Sequence, residues 1–79
     1  QGWGRMKIRA QLLIKHLPSA FIEQALAEMD EQTYQEVLRK IITTKKRSIK
    51  SSDPQIREKL IRFCMQRGFT YEEIKKTVD

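Results

Sequence analysis

The sequence has little of what catalytic sites are built from. It contains one cysteine and one histidine among 79 residues. A single thiol forms no internal disulfide, and Cys64 with His16 falls short of the four ligands of an ordinary zinc site. There is no glycine-rich loop to cradle a phosphate. Carboxylates such as Glu72 and Glu73 stand at an expected helix start and have no evident acid–base partner. No apolar run approaches the ~20 residues of a membrane span. These absences point away from an enzyme, a metal centre, a bound cofactor, a small-molecule substrate and a membrane protein. The lone cysteine, with no signal peptide in view, favours a reducing, cytoplasmic setting. The opening Gln1-Gly2-Trp3-Gly4, without an initiator Met, reads as a fragment or a processed chain.

Glycine and proline are also scarce, at three and two residues, while Leu, Ile, Lys, Arg, Glu and Gln abound. Such residues lose little rotamer freedom in a helix. The formal net charge is +6, spread as +2 over residues 1–29, +3 over 30–52 and +1 over 53–79. A surplus of this kind suits a polyanion or an acidic protein surface and does not choose between them. A chain this short buries only roughly 60% of its unfolded surface, so a deep substrate cavity is not expected.

Five helices are legible. The first is expected from about Arg5 to His16, and Pro18 stops it. The second runs to about Glu28, with Phe21, Ile22, Ala25 and Leu26 on its apolar side. Asp30 is a natural N-cap for the third. There Tyr34, Val37, Leu38, Ile41 and Ile42 fall at i, i+3, i+4, i+7 and i+8, an amphipathic stripe. Fraying is expected from Thr43 to Ser48. Asp53-Pro54 predicts a cap and first helical position for the fourth helix, which carries Ile56, Leu60, Phe63 and Cys64 inward. Gly68 takes the usual position just past a helix end. Thr70 and Glu73 have capping-box spacing at the start of the fifth helix.

Sliding the chain by 52 residues reveals an internal repeat. Arg5 lands on Arg57, Lys7 on Lys59 and Ile8 on Leu60. Leu12 lands on Cys64, Leu13 on Met65, Lys15 on Arg67 and Leu17 on Phe69. Ile22 lands on Ile74 and Leu26 on Val78. The expected architecture is therefore all-α, with tandem three-helix repeats. Residues 1–50 would form one full unit, and residues 53–79 a second that lacks its third helix.

Two stretches carry a family resemblance. The first reads Gly4-Arg5-Met6-Lys7-Ile8-Arg9, Leu12, Lys15-His16-Leu17-Pro18 and Ile22-Glu23-Gln24-Ala25-Leu26. The second reads Arg57-Glu58-Lys59-Leu60-Ile61-Arg62-Phe63, Arg67-Gly68-Phe69-Thr70-Tyr71 and Ile74. Together they resemble the second and third repeats of RecX-type proteins. His16 departs from the pattern, standing where the family usually has glycine. The resemblance implies a non-enzymatic regulator that binds RecA filaments on single-stranded DNA and restrains recombinase and ATPase activity in recombination and the SOS response. The residues themselves also admit a sequence-indifferent helical domain binding single- or double-stranded DNA, or a scaffold whose charge serves solubility.

The candidate partner-binding or DNA-binding residues are Lys45, Lys46, Arg47, Lys50, Arg57, Arg62 and Arg67. The first four form the densest basic cluster and could neutralise phosphates or meet acidic protein. They could equally be a solvated helix end that complements the helix dipole. The last three recur along the repeat and could line one face of a stacked array. Trp3 is expected to pack and Cys64 to be a buried structural thiol. Phe69 is expected in the core, and packing is also the safer expectation for Tyr71.

Overall fold

The computed structural model describes residues 2–78. Five helices follow one another: α1 (Arg5–Ile14), α2 (Ser19–Ala27), α3 (Glu31–Lys46), α4 (Ile56–Gln66) and α5 (Tyr71–Val78). No strand occurs among the described residues. The molecule is elongated, 46 × 24 × 20 Å, with a radius of gyration of 14.0 Å. A single compact domain of this length would have a radius of about 12 Å. Two subunits of structure set end to end account for the difference.

Local chemistry explains most helix ends. The Asp30 carboxylate accepts from both the backbone N–H and the hydroxyl of Thr33, capping α3. Thr70 and Glu73 form the expected reciprocal box: the Glu73 carboxylate accepts from the Thr70 N–H at 2.8 Å, and the Thr70 hydroxyl accepts from the Glu73 N–H at 3.1 Å.

The 52-residue repeat is visible in the backbone. Helix α1 ends with His16 at φ 62°, and α4 ends with Gly68 at φ 96°. In the first turn His16 N–H donates to the Leu13 carbonyl and Leu17 N–H to that of Leu12. In the second, Gly68 N–H donates to Met65 and Phe69 N–H to Cys64. Each is a Schellman closure, with a left-handed residue just past the helix. The α1–α2 and α4–α5 hairpins are thus copies of one turn.

The packing partitions the chain differently from the expected units 1–50 and 53–79. The apolar stripe of α3 places Tyr34, Leu38 and Ile42 against Leu60, Cys64, Phe69 and Ile74 of the α4–α5 hairpin. Helix α3 packs on α4 and α5, whereas α1 packs on α2. So α3, α4 and α5 make one three-helix unit, and α1–α2 is a hairpin beside it. The repeat was legible, but its phase was not, because hairpin similarity does not say which hairpin the intervening helix covers. Burial records the consequence. Phe69 is 2% exposed beneath α3, while its counterpart Leu17 is 41% exposed, and Phe21 stands 63% exposed rather than packed.

Two boundaries also move. Helix α3 continues through Thr43 and Thr44 to Lys46, because buried Ile42 and half-buried Ile41 and Lys45 hold its last turns in place. Helix α4 begins at Ile56, not at Pro54. The Asp53 side chain accepts from the Gln55 N–H, so residues 53–55 form a turn before the helix. Trp3 is half-buried and lies beside the Lys7 ammonium, and Tyr71 is 46% exposed.

The hairpin and the three-helix unit meet at one junction. Helix α1 has no side-chain cap. Instead Gly4 N–H donates to the Arg67 carbonyl at 2.7 Å and Met6 N–H to the Gly68 carbonyl at 3.0 Å. The Arg5 N–H donates to the Tyr34 hydroxyl at 3.0 Å. The orphan donors of one helix start are thereby matched to the orphan acceptors of another helix end. Both glycines are required. A Cβ on Gly4 would fall 2.2 Å from the Gly68 carbonyl carbon, and one on Gly68 would fall 2.4 Å from the Lys7 Cβ.

Gly68→Ala is expected to lower unfolding stability by at least about 2 kcal/mol, since it adds left-handed strain to a steric overlap. His16→Gly has only strain to relieve and should raise stability by about 0.5–1 kcal/mol. Urea titrations of both variants check the pair. Equal destabilisation by the two would contradict this account of the turns.

Candidate functional site

No acidic residue lies between Glu36 and Asp53, a stretch that holds Arg39, Lys40, Lys45, Lys46, Arg47 and Lys50. The fold bends this stretch against α4. The end of α3 and the loop after it then border two adjoining hollows that share Lys45, Ser48 and Phe63. One, of about 530 Å³, is bounded by Lys45, Lys50, Lys59 and Arg62, with Asp53 as its acid. The other, of about 550 Å³, is bounded by Lys40, Lys45 and Arg67, with apolar Val37 and Ile41 in its wall.

Phe63 anchors this region. It is half-buried on α4, with the Lys45 ammonium 4.6 Å and the Arg67 guanidinium carbon 4.8 Å from its ring centroid. Cation–π attraction of this kind contributes ~0.5–1 kcal/mol at exposed sites and restricts flexible stems. Phe63 was expected to be a core residue, and it does pack against the core edge. Its role in holding two cations was missed. The i, i+4 spacing to Arg67 was a signal within the sequence, but the approach of Lys45 comes only from the fold.

The seven candidate cations divide. Lys45, Lys50, Arg62 and Arg67 line the paired hollows. Lys46 and Arg47 are exposed and line neither. Arg57 lies on the outer face of α4, near Ile61, Met65 and Tyr71, in a shallow depression that Arg62 also borders. Lys40 and Lys59 join the hollows, although they were not among the seven.

Ion pairing removes other cations from contention. Arg9 meets Glu23 at 2.9 Å, and Arg5 meets Glu31 at 2.8 Å and Glu73 at 3.5 Å. Lys59 pairs with Asp53. The Lys59 hydrogen bond, helped by the Gln55 N–H, holds the Asp53 carboxyl below its usual range. Among the described residues, Lys40, Lys46, Arg47, Lys50 and Arg62 meet no carboxylate. The field over the paired hollows is therefore strongly positive.

Cys64 is fully buried, and desolvation pushes its thiol pKa up, away from the reactive thiolate. Among the described residues, no group of three His, Cys, Asp or Glu side chains is placed to hold a metal. No helix among them is long and apolar enough to cross a membrane.

Comparison with known proteins meets the fold at its three-helix unit. Residues 32–78 match the family model described as RecX, third three-helix domain. The chain belongs to the RecX family. The matched stretch is α3 to α5 apart from Glu31, the same unit that the packing defines. Over 75 residues the chain is 40% identical to the regulatory protein RecX of Chlorobaculum tepidum, covering 95% of the chain and 45% of that protein. It is 33% identical to the Vibrio parahaemolyticus protein of the same name, covering 94% of the chain and 47% of that relative. For the Vibrio vulnificus protein the identity is 29%, over 95% of the chain and 48% of the relative. The chain thus spans about half the length of the curated RecX proteins it matches. No solved structure matches.

Because bonding in the folded state lowers the carboxyls of Asp30, Glu31 and Asp53, their contribution is present above the unfolded carboxylate pKa. It is lost as pH falls through the lowered folded values. Thermal midpoints should therefore drop below about pH 4. Asp53→Asn should flatten that drop relative to the parent. An identical pH profile for the two would contradict the role given to the Asp53–Lys59 pair.

Proposed function

We propose that this chain is part of a non-enzymatic regulator that binds RecA filaments on single-stranded DNA and inhibits their recombinase and ATPase activity, in recombination and the SOS response. The observation that carries this reading is the match of residues 32–78 to the third RecX domain. The relatives named regulatory protein RecX extend the same likeness across the α1–α2 hairpin. A binding role also suits the basic surface, which attracts acidic protein or DNA and speeds encounter. Successive helical units laid end to end provide the extended contact that a repeating filament offers. The contacting residues in this reading are Lys45, Lys46, Arg47, Lys50, Arg57, Arg62 and Arg67. The compartment is the cytoplasm, where RecA acts.

The chain should cosediment with RecA filaments assembled on single-stranded DNA and slow their ATP hydrolysis. Reversing the charges of Lys45, Lys46, Arg47 and Lys50 together should weaken the effect roughly tenfold or more. Absence of both cosedimentation and inhibition would overturn the proposal.

A further inference from the structure

The paired hollows around Phe63 have a property that an acidic protein surface does not require. Five cations that meet no carboxylate among the described residues line them: Lys40, Lys45, Lys50, Arg62 and Arg67, beside the paired Lys59. Their one acid, Asp53, is already neutralised by Lys59. A protein surface carries both signs of charge, and a complementary site for it normally presents both. This cleft has no free anion to meet a partner's cation. A ligand of uniform negative charge fits it better.

The walls add a second requirement. Val37, Ile41, Ile49 and Phe63 place apolar surface among the cations, and Thr44 and Ser48 bring hydroxyls. Phosphates alone have no use for apolar walls. A flexible nucleic-acid strand does, since its phosphates meet cations while sugars and bases lie on apolar surface. A duplex keeps the faces of its bases stacked inside, so it cannot lay them on the apolar wall as a single strand can.

We infer that the cleft formed by the end of α3 and by α4 binds the phosphodiester backbone of a single nucleic-acid strand, and that Phe63 is its positioning residue. Lys45, Ser48 and Phe63 border both hollows, so the two adjoin along the same stretch of surface. The Phe63 ring holds Lys45 and Arg67 beside that stretch. Without the ring these long side chains would have to be ordered at the moment of binding, at a cost in entropy. The inference goes beyond the regulatory reading and is separable from it, because it concerns direct contact with the strand in the absence of RecA.

The test is fluorescence anisotropy of a labelled oligothymidylate titrated with the chain across a salt series. The parent should bind, with affinity falling linearly on logarithmic axes as counterions are released. The double variant Lys45→Gln with Arg67→Gln should lose roughly tenfold in affinity, and its salt slope should be shallower by about 0.7 for each contact removed. Phe63→Leu keeps every charge, so it should lower affinity severalfold and leave the slope unchanged. That split separates positioning from charge, and circular dichroism with thermal melting confirms that each variant is folded. Lys75→Gln with Lys76→Gln, on α5 outside the cleft, should bind like the parent.

Equal loss from the α5 variant and the cleft variant would overturn the inference, as would parental affinity in a folded cleft variant. Binding of polyglutamate as tight as that of the oligothymidylate would assign the cleft to acidic protein instead. If filament cosedimentation persists while oligothymidylate binding is absent, the strand-binding inference fails and the regulatory reading stands. The opposite pattern sinks the regulatory reading and leaves the cleft.

Discussion

The start of α1 sits on the end of α4, and the arrangement of the whole chain follows from that contact. A helix start presents free N–H groups and partial positive charge; a helix end presents free carbonyls and partial negative charge. Joining the two satisfies both without a capping side chain. The approach is close enough that Gly4 and Gly68 tolerate no Cβ between them. The Tyr34 hydroxyl completes the junction, accepting from the Arg5 N–H and donating to Glu73 at 3.3 Å. Glu73 also caps α5 and reaches the Arg5 guanidinium. One carboxylate thus ties together α1, α3 and α5, while the Arg5 guanidinium lies 4.0 Å from the Tyr34 ring centroid.

This junction also sorts the charges. Arg5 is drawn to Glu31 and Glu73, and Arg9 to Glu23 on the neighbouring helix. Three acids, Glu23, Glu31 and Glu73, are thereby committed to Arg5 and Arg9. The far half of α3 has none to spare, and α4 packs beside it with Lys59, Arg62 and Arg67. Paired surface charges contribute little to stability. Their larger effect here is to leave one end of the molecule positive. Electrostatic function follows from where neutralisation happens as much as from the net charge of +6.

The helices and their caps were largely legible because their causes are local. Asp30, Gly68 and the Thr70–Glu73 pair act within a few residues, so spacing alone exposed them. Pro54 misled for an equally local reason. It permits a helix start, but the Asp53 side chain bonds the Gln55 N–H and sets a turn there first. The basic cluster from Lys45 to Lys50 was legible as composition. Its division into cations that line a cleft and cations that do not was invisible, since Lys46 and Arg47 differ from their neighbours only in the direction the helix end gives them. Phe63 was placed in the core because apolar periodicity does not distinguish a fully buried ring from one at the core's edge.

By itself the sequence determined the helical class, the 52-residue repeat and the positive balance of the stretch around Lys45, because periodicity, turn chemistry and charge are carried by neighbours in the chain. Tertiary structure alone decided the phase of the repeat. The stripe of Tyr34, Leu38 and Ile42 could have covered either hairpin, and only packing shows that it covers Leu60, Cys64, Phe69 and Ile74. Tertiary structure also made the cleft. Lys45 and Arg67 are 22 positions apart in sequence and share one aromatic ring. Contacts of that range depend on how whole helices meet, and helix meeting is set by the summed burial of many side chains, which no local pattern encodes.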